Sequence, residues 1–233
     1  PEIWKKAKPA YLSLLPLWWR RELISGIYVQ AIHNGNKMAV RLVWEDATEN
    51  STVLDQTAFS DGAAVQFSSN AEPPFFAMGY EQDPVNIWNW KAWREPEALK
   101  NQVLQDFQQN MPDNLYPSGA PIVENVLYAA AKDIGNPVSE DYPKTTVEDL
   151  NAGGFGTLTN QGPGSQNVTG KGTWKDGFWD VVFIRDLSSG FEGDIVFTPG
   201  KSVSIAFALW DGEYQDRNGQ KSVSIWQNLI IED

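Results

Sequence analysis

Three short stretches carry the side chains best able to do chemistry: Pro73-Pro74-Phe75-Phe76-Ala77-Met78-Gly79, Pro84-Val85-Asn86-Ile87-Trp88-Asn89-Trp90-Lys91, and Asn218-Gly219-Gln220-Lys221-Ser222-Val223-Ser224-Ile225-Trp226. They offer a thioether and amines among aromatic rings. Methionine is uncommon here, with three in the chain, and Met78 lies between Phe75-Phe76 and Gly79. Its sulfur is soft and polarizable, and a glycine lets a flat ligand approach the backbone. Together the stretches read as a pocket for a planar metal cofactor, a haem site without cysteine.

Haem iron that only transfers electrons takes two axial side chains, which leaves no open position for oxygen. Met78 supplies the neutral sulfur, although a methionine among aromatics is more often core filler. His33, the single histidine, falls on a turn, so a bis-histidine site within this chain is excluded. The nitrogen left for the opposite face is a lysine amine, which binds iron only when neutral. Deprotonation at pH 7 from a reference pKa near 10.4 costs about 4–5 kcal/mol, which coordination and apolar burial must offset. Lys221, opening an apolar run after a glycine turn, meets that demand. Lys171, between two glycines, and Lys175, beside Asp176 in a turn, are its rivals. Lys91 closes a tryptophan-rich strand and could reach a haem propionate. Phe76, Gly79, Trp88 and Trp90 are the expected walls.

Composition narrows the alternatives. The net charge of −12 argues against nucleic acid and anionic membrane surfaces as partners, and fits a docked protein partner. There is no apolar run long enough for a spanning helix. Pro1 is an unlikely initiator, so a leader removed before the mature chain is expected. With no cysteine, covalent c-type haem attachment, cysteine-held iron–sulfur clusters and cysteine zinc sites are excluded. Eleven Trp, seven Tyr and eleven Phe supply a large buried area and rings to wall a cofactor.

Periodicity predicts strands that could position these groups. Gly26–Gln30 and Lys37–Glu45 flank the turn His33-Asn34-Gly35-Asn36, a strong hairpin signal. In the second run Met38, Val40, Leu42 and Trp44 share one face, which marks Met38 as core. Further strands are expected at Ala63–Phe67, Val85–Lys91, Gly156–Thr159, Val168–Trp174, Trp179–Arg185, Ser202–Trp210 and Ser222–Ile231, with a hairpin turn at Lys175-Asp176-Gly177. Residues 94–110 have helical spacing behind Pro96, and 112–151 form a long excursion containing a strand or short helix at Ile122–Lys132. The expectation is a single all-β domain over 1–233, an antiparallel β-sandwich with a short helix in an insertion at about 94–151.

Other chemistries find less support. Asp46, Asp61 and Asp211 lie near strand ends, but nothing in the sequence fixes their separation, and turn aspartates are the simpler reading. Gly153-Gly154-Phe155-Gly156 lacks the following Lys-Ser/Thr of a phosphate loop. Aromatic strands with Asp and Asn loops could instead bind sugars, so a non-catalytic carbohydrate-binding sandwich stands as the second hypothesis.

The ordered motifs Trp44-Glu45-Asp46-Ala47-Thr48, Ala63-Ala64-Val65-Gln66-Phe67, Phe75–Gly79, Val85–Lys91, Gly170–Trp174, Phe183-Ile184-Arg185, Ala206–Gly212 and Lys221–Trp226 resemble the haem b-binding gamma subunits of type II dimethyl sulfoxide reductase family molybdoenzymes. That group includes ethylbenzene dehydrogenase, selenate reductase, chlorate reductase and dimethyl sulfide dehydrogenase, with related subunits in nitrite oxidoreductase. The resemblance spans roughly residues 26–231. It implies a sandwich like the cytochrome domain of cellobiose dehydrogenase, holding one haem b between Met78 and a lysine, with Lys221 favoured over Lys171. It further implies an electron-transfer subunit without bond chemistry of its own. The implied partners are a molybdopterin alpha subunit, an iron–sulfur beta subunit and a soluble cytochrome c or similar carrier, in the periplasm or an equivalent compartment.

Overall fold

Alternation of side chains explains the central strands. In a computed structural model, which describes residues 2–20, 23–53, 57–70, 72–96 and 145–233, the described residues form two antiparallel β-sheets with helix only as short turns. The first sheet has the order β1-β3-β4-β10-β9, from β1 (Ala10–Ser13), β3 (Gly26–His33), β4 (Lys37–Glu45), β10 (Phe178–Asp186) and β9 (Thr169–Lys175). The second contains β2 (Leu15–Pro16), β5 (Gly62–Ser68), β6 (Val85–Lys91), β7 (Val147–Ala152), β8 (Thr159–Asn160), β11 (Ser202–Trp210), β12 (Ser222–Val223) and β13 (Gln227–Ile230). Its order is β2-β12-β11-β5-β6-β7-β8, with β13 also paired to β11.

The hairpin between β3 and β4 turns where Asn34-Gly35 predicts. Gly35 has φ +86°, and the Asn34 carboxamide accepts the N–H groups of Asn36 and Lys37. Met38, Val40, Leu42 and Trp44 of β4 are buried, as expected, and Trp179, Val181 and Phe183 of β10 join them. Facing them from the second sheet are Val65, Phe67, Trp88, Trp90, Ile205 and Leu209. Trp90 packs edge-on against Trp179 at 4.9 Å. Each fully buried ring removes about 150–250 Å² from water, which stabilises the fold by about 4–6 kcal/mol before entropic costs.

Two expectations are corrected. The run Ser222–Ile231 is two strands, because Ser224 replaces a ladder residue: its N–H donates to the Phe207 carbonyl and its Oγ accepts from the Phe207 N–H, each at 2.9 Å. That swings Ile225 out to solvent, 58% exposed. The segment 156–159 contributes only its last residue to β8. Residues 92–94 make one 3-10 turn, and residues 97–110 of the expected 94–110 helix, like Ile122–Lys132, lie outside the described residues. No helix among the described residues is long and apolar enough to cross a membrane.

One feature of the second sheet points to a site. Every residue of β5 and all but the last of β6 are buried, so these strands are covered on both faces. The inner face meets the first sheet. The outer face lies beneath loops that carry Leu17, Phe76, Met78 and Trp226.

Candidate functional site

The outer face of the second sheet is the floor of a cavity of about 710 Å³, a size suited to an extended organic ligand. Small side chains make that floor: Gly62 and Ala64 from β5, Ala206 and Ala208 from β11. Each lies two residues from the next on its strand, so the same alternation that sends Val65 and Leu209 inward leaves room outward. Phe155 and Leu158 add apolar lining, while Gln66, Asn89, Lys91, Arg217 and Asn218 add polar atoms.

Met78 enters from the loop before β6. Its φ is +85° and that of Gly79 is +70°, two successive left-handed residues. Glycine accepts this readily; methionine does so only where its surroundings hold it. The surroundings are explicit. Gln66 Nε2 donates to the Phe76 carbonyl at 2.8 Å, Gly154 N–H to the Met78 carbonyl at 2.8 Å, and Trp226 Nε1 to the Pro74 carbonyl at 2.6 Å. A Cβ on Gly79 would come 2.8 Å from the Asp83 carbonyl, so this position has no room for another residue.

Lys221 enters from the opposite edge, just before β12. Its backbone carbonyl accepts the Leu17 N–H at 3.0 Å. Its Nζ lies 4.9 Å from the centre of the Trp210 ring and 3.9 Å from the Met78 sulfur. Burial away from water pushes the Lys221 amine down to about 8, because the charged form loses its hydration. Losing a proton at pH 7 then costs about 1–2 kcal/mol, against about 5 for a solvated lysine.

The other expected residues divide. Phe76 lines the cavity beside Met78. Gly79 shapes the Met78 loop without lining it. Lys91 also lines the cavity, with its amine 3.3 Å from Glu148 Oε2 and Glu148 Oε1 held by Arg94 at 2.8 Å. Trp88 and Trp90 do not line it: both are fully buried between the sheets, because the residues of β6 that face the cavity are Ile87, Asn89 and Lys91. Lys171 stands exposed on β9 in the other sheet, paired with Val182, and lies outside the cavity. Lys175 is exposed beside Asp176. His33 accepts the Gly35 N–H within its turn.

Sequence reasoning missed the alanine and glycine floor. Its signal was present in Gly62-Ala63-Ala64 and Ala206-Phe207-Ala208, small residues spaced by two on otherwise apolar strands. It also missed Arg217, which lines the cavity with its guanidinium over the Phe59 ring at 4.8 Å.

The donor set can be tested against a haem. A neutral sulfur and a desolvated amine face each other inside an apolar cavity with a flat, small-residue floor, and cations stand on its lining. These are the residues a porphyrin and its carboxylates require, so the site fits the group.

Several known proteins resemble this chain along most of its length. A protein of Haloferax mediterranei, provisionally named as a respiratory nitrate reductase heme subunit, is 29% identical over 208 residues, covering 88% of this chain and 56% of its own length. The chlorate reductase gamma subunit of Ideonella dechloratans is 27% identical over 233 residues, 97% of this chain and 76% of that protein. The dimethylsulfide dehydrogenase gamma subunit of Rhodovulum sulfidophilum is 28% identical over 206 residues, 85% and 57% of the two chains. The chain thus spans a little over half the length of two of these relatives. Among solved structures, a family 9 carbohydrate-binding module from Caldicellulosiruptor kristjanssonii in complex with glucose aligns with 97% of this chain and 76% of its own, at 9% identity and a TM-score of 0.44, a likeness too slight to bear on ligand. The ethylbenzene dehydrogenase family matches residues 2–222, and the chain belongs to that family.

Proposed function

We propose that this chain is the haem-carrying gamma subunit of a molybdenum oxidoreductase complex, an electron relay with one haem b held between Met78 and Lys221. The observation that carries the reading is the 3.9 Å approach of the Met78 sulfur to the Lys221 amine inside the apolar cavity. When bound, the haem supplies one-electron chemistry. The chain's own residues do the rest. Met78 and Lys221 would hold the haem iron through a sulfur and an amine, and a site with two protein donors would leave oxygen no place to bind. Burial prepares Lys221 to be neutral at modest cost. Gly62, Ala64, Ala206 and Ala208 would leave room for a flat ligand, and Phe76, Phe155 and Leu158 would add apolar contact. Lys91 and Arg217 offer positive charge to the propionates.

The relay runs between an iron–sulfur subunit, beside a molybdopterin subunit, and a soluble cytochrome c or similar carrier in the periplasm. The relatives named as gamma and heme subunits support the place of this chain as one subunit of an oxidoreductase complex. The acidic surface, net −12, would steer a basic carrier, and such steering weakens with salt.

The visible spectrum of the purified, haem-loaded chain is the test. Met78→Ala and Lys221→Ala should each shift or abolish the spectrum of the six-coordinate haem, and Lys171→Ala should leave it unchanged. A wild-type spectrum from Lys221→Ala, with the loss appearing in Lys91→Ala, would transfer the nitrogen donor to Lys91 on the same cavity wall. A chain that takes up no haem at all would overturn the reading and return the sugar-binding alternative.

A further inference from the structure

Three strand ends, drawn from both sheets, bring carboxylates together beside the cavity. Asp46 follows β4, Asp61 precedes β5 and Asp211 follows β11, and one oxygen from each lies within 4.8 Å of the other two. All three are buried, at 5%, 0% and 5% exposure. Most of their oxygens already have donors. Thr48 N–H reaches Asp46 Oδ1, Asn50 N–H and Trp179 Nε1 reach Asp61 Oδ2, and Gly212 N–H reaches Asp61 Oδ1. Glu213 and Tyr214 N–H groups reach Asp211 Oδ1. Asp46 Oδ2 is different: it is enclosed and has no hydrogen-bond partner.

A buried carboxylate oxygen without a donor is costly, and three carboxylates at this spacing repel one another. Arg20, the cation whose field reaches Asp211, is itself ion-paired with Asp216. A hard divalent cation relieves both problems. Oxygens sharing one Ca²⁺ at about 2.3–2.6 Å can stand no more than about 5 Å apart, a limit that the 4.8 Å cluster meets. The donors are all oxygen, which favours Ca²⁺ over softer transition metals.

We propose that Asp46, Asp61 and Asp211 bind a Ca²⁺ ion, which clamps the two sheets together at the base of the loop leading to Lys221. Asp211 N–H also donates to Asp216 Oδ2 at 3.0 Å, and Asp216 through Gly219 line the cavity. The ion therefore steadies the segment that delivers the amine, and its binding can be read without haem.

The test uses the full chain stripped with EDTA. Added Ca²⁺ should raise Tm by several degrees. Tb³⁺ in its place should luminesce on tryptophan excitation, since the Trp179 indole bonds directly to Asp61, and Ca²⁺ should quench that signal by displacement. Asp46→Asn should weaken Ca²⁺ binding by at least about tenfold, while Asp186→Asn, altering an exposed carboxylate elsewhere, should not. Equal responses in wild type and Asp46→Asn would mean adventitious binding to the acidic surface and would overturn the proposal. So would a wild-type chain showing no Tm shift and no sensitised Tb³⁺ emission. If Asp46→Asn does not fold, the wild-type emission and its displacement decide alone.

Discussion

The amine of Lys221 lies 3.9 Å from the sulfur of Met78, although 143 residues separate them along the chain. One comes from a left-handed loop pinned over β6 and β7, the other from the edge of β12. Their meeting makes the two side chains a candidate pair of iron ligands.

Haem binding should depend on pH through Lys221. The amine must be neutral to coordinate iron, and burial places its pKa at about 8. Affinity should therefore fall about tenfold for each pH unit below about 8 and level off above it. The haem-free protein should show the linked effect: the unfolded chain keeps this proton longer, so Lys221 adds stability as pH rises from about 8 toward the ordinary value of 10.5. Soret titrations from pH 6 to 9 would show the slope in the wild type, and Lys221→Met should abolish it.

Enlarging the floor should empty the cavity without unfolding the sandwich. Ala64→Leu places three extra carbons in the cavity proposed to take the haem, on the side of β5 away from the inter-sheet core. Haem retention should drop by more than about tenfold while the far-ultraviolet circular dichroism stays that of the wild type. Normal haem uptake by this variant would place the cofactor elsewhere.

Asp149 should make the protein less stable as pH rises. Burial pushes its carboxyl up to about 7 from the ordinary 3.8, against the hydrogen bond from Asn86 that favours the ionised form. Between about 4 and 7 the unfolded chain gives up this proton first, so stability is lost across that window. Asp149→Asn keeps an oxygen for Asn86 Nδ2, which now donates at 2.7 Å. Urea denaturation at pH 5 and pH 8 should show a smaller difference in the variant than in the wild type.

Gly172 tests the core directly. A Cβ there would come 2.1 Å from the Trp90 ring, which is fully buried and cannot retreat. Gly172→Ala should cost about 1–3 kcal/mol and lower Tm by several degrees, with the haem spectrum of the folded fraction unchanged because Trp90 faces away from the cavity. An unaltered Tm would mean that β9 can slide off Trp90.

What the sequence determined by itself was local. Period-two alternation located β4 and β10, Asn34-Gly35 located their neighbour's turn, and the position of Met78 beside a glycine in an aromatic loop marked it as unusual. The tertiary structure decided what alternation leaves ambiguous. In β6 both faces are apolar, so nothing local says whether Trp88 and Trp90 or Ile87 and Asn89 meet the cavity; pairing with β5 assigns the tryptophans to the core. Neighbours in sequence favoured Lys221 over Lys171 and Lys175, but desolvation depends on what the rest of the chain packs against each amine, and the fold buries the amine of Lys221 while leaving Lys171 in water. The convergence of Asp46, Asp61 and Asp211 was hidden for the same reason: their separation is a property of three strand ends and two sheets, set by packing and not by spacing along the chain.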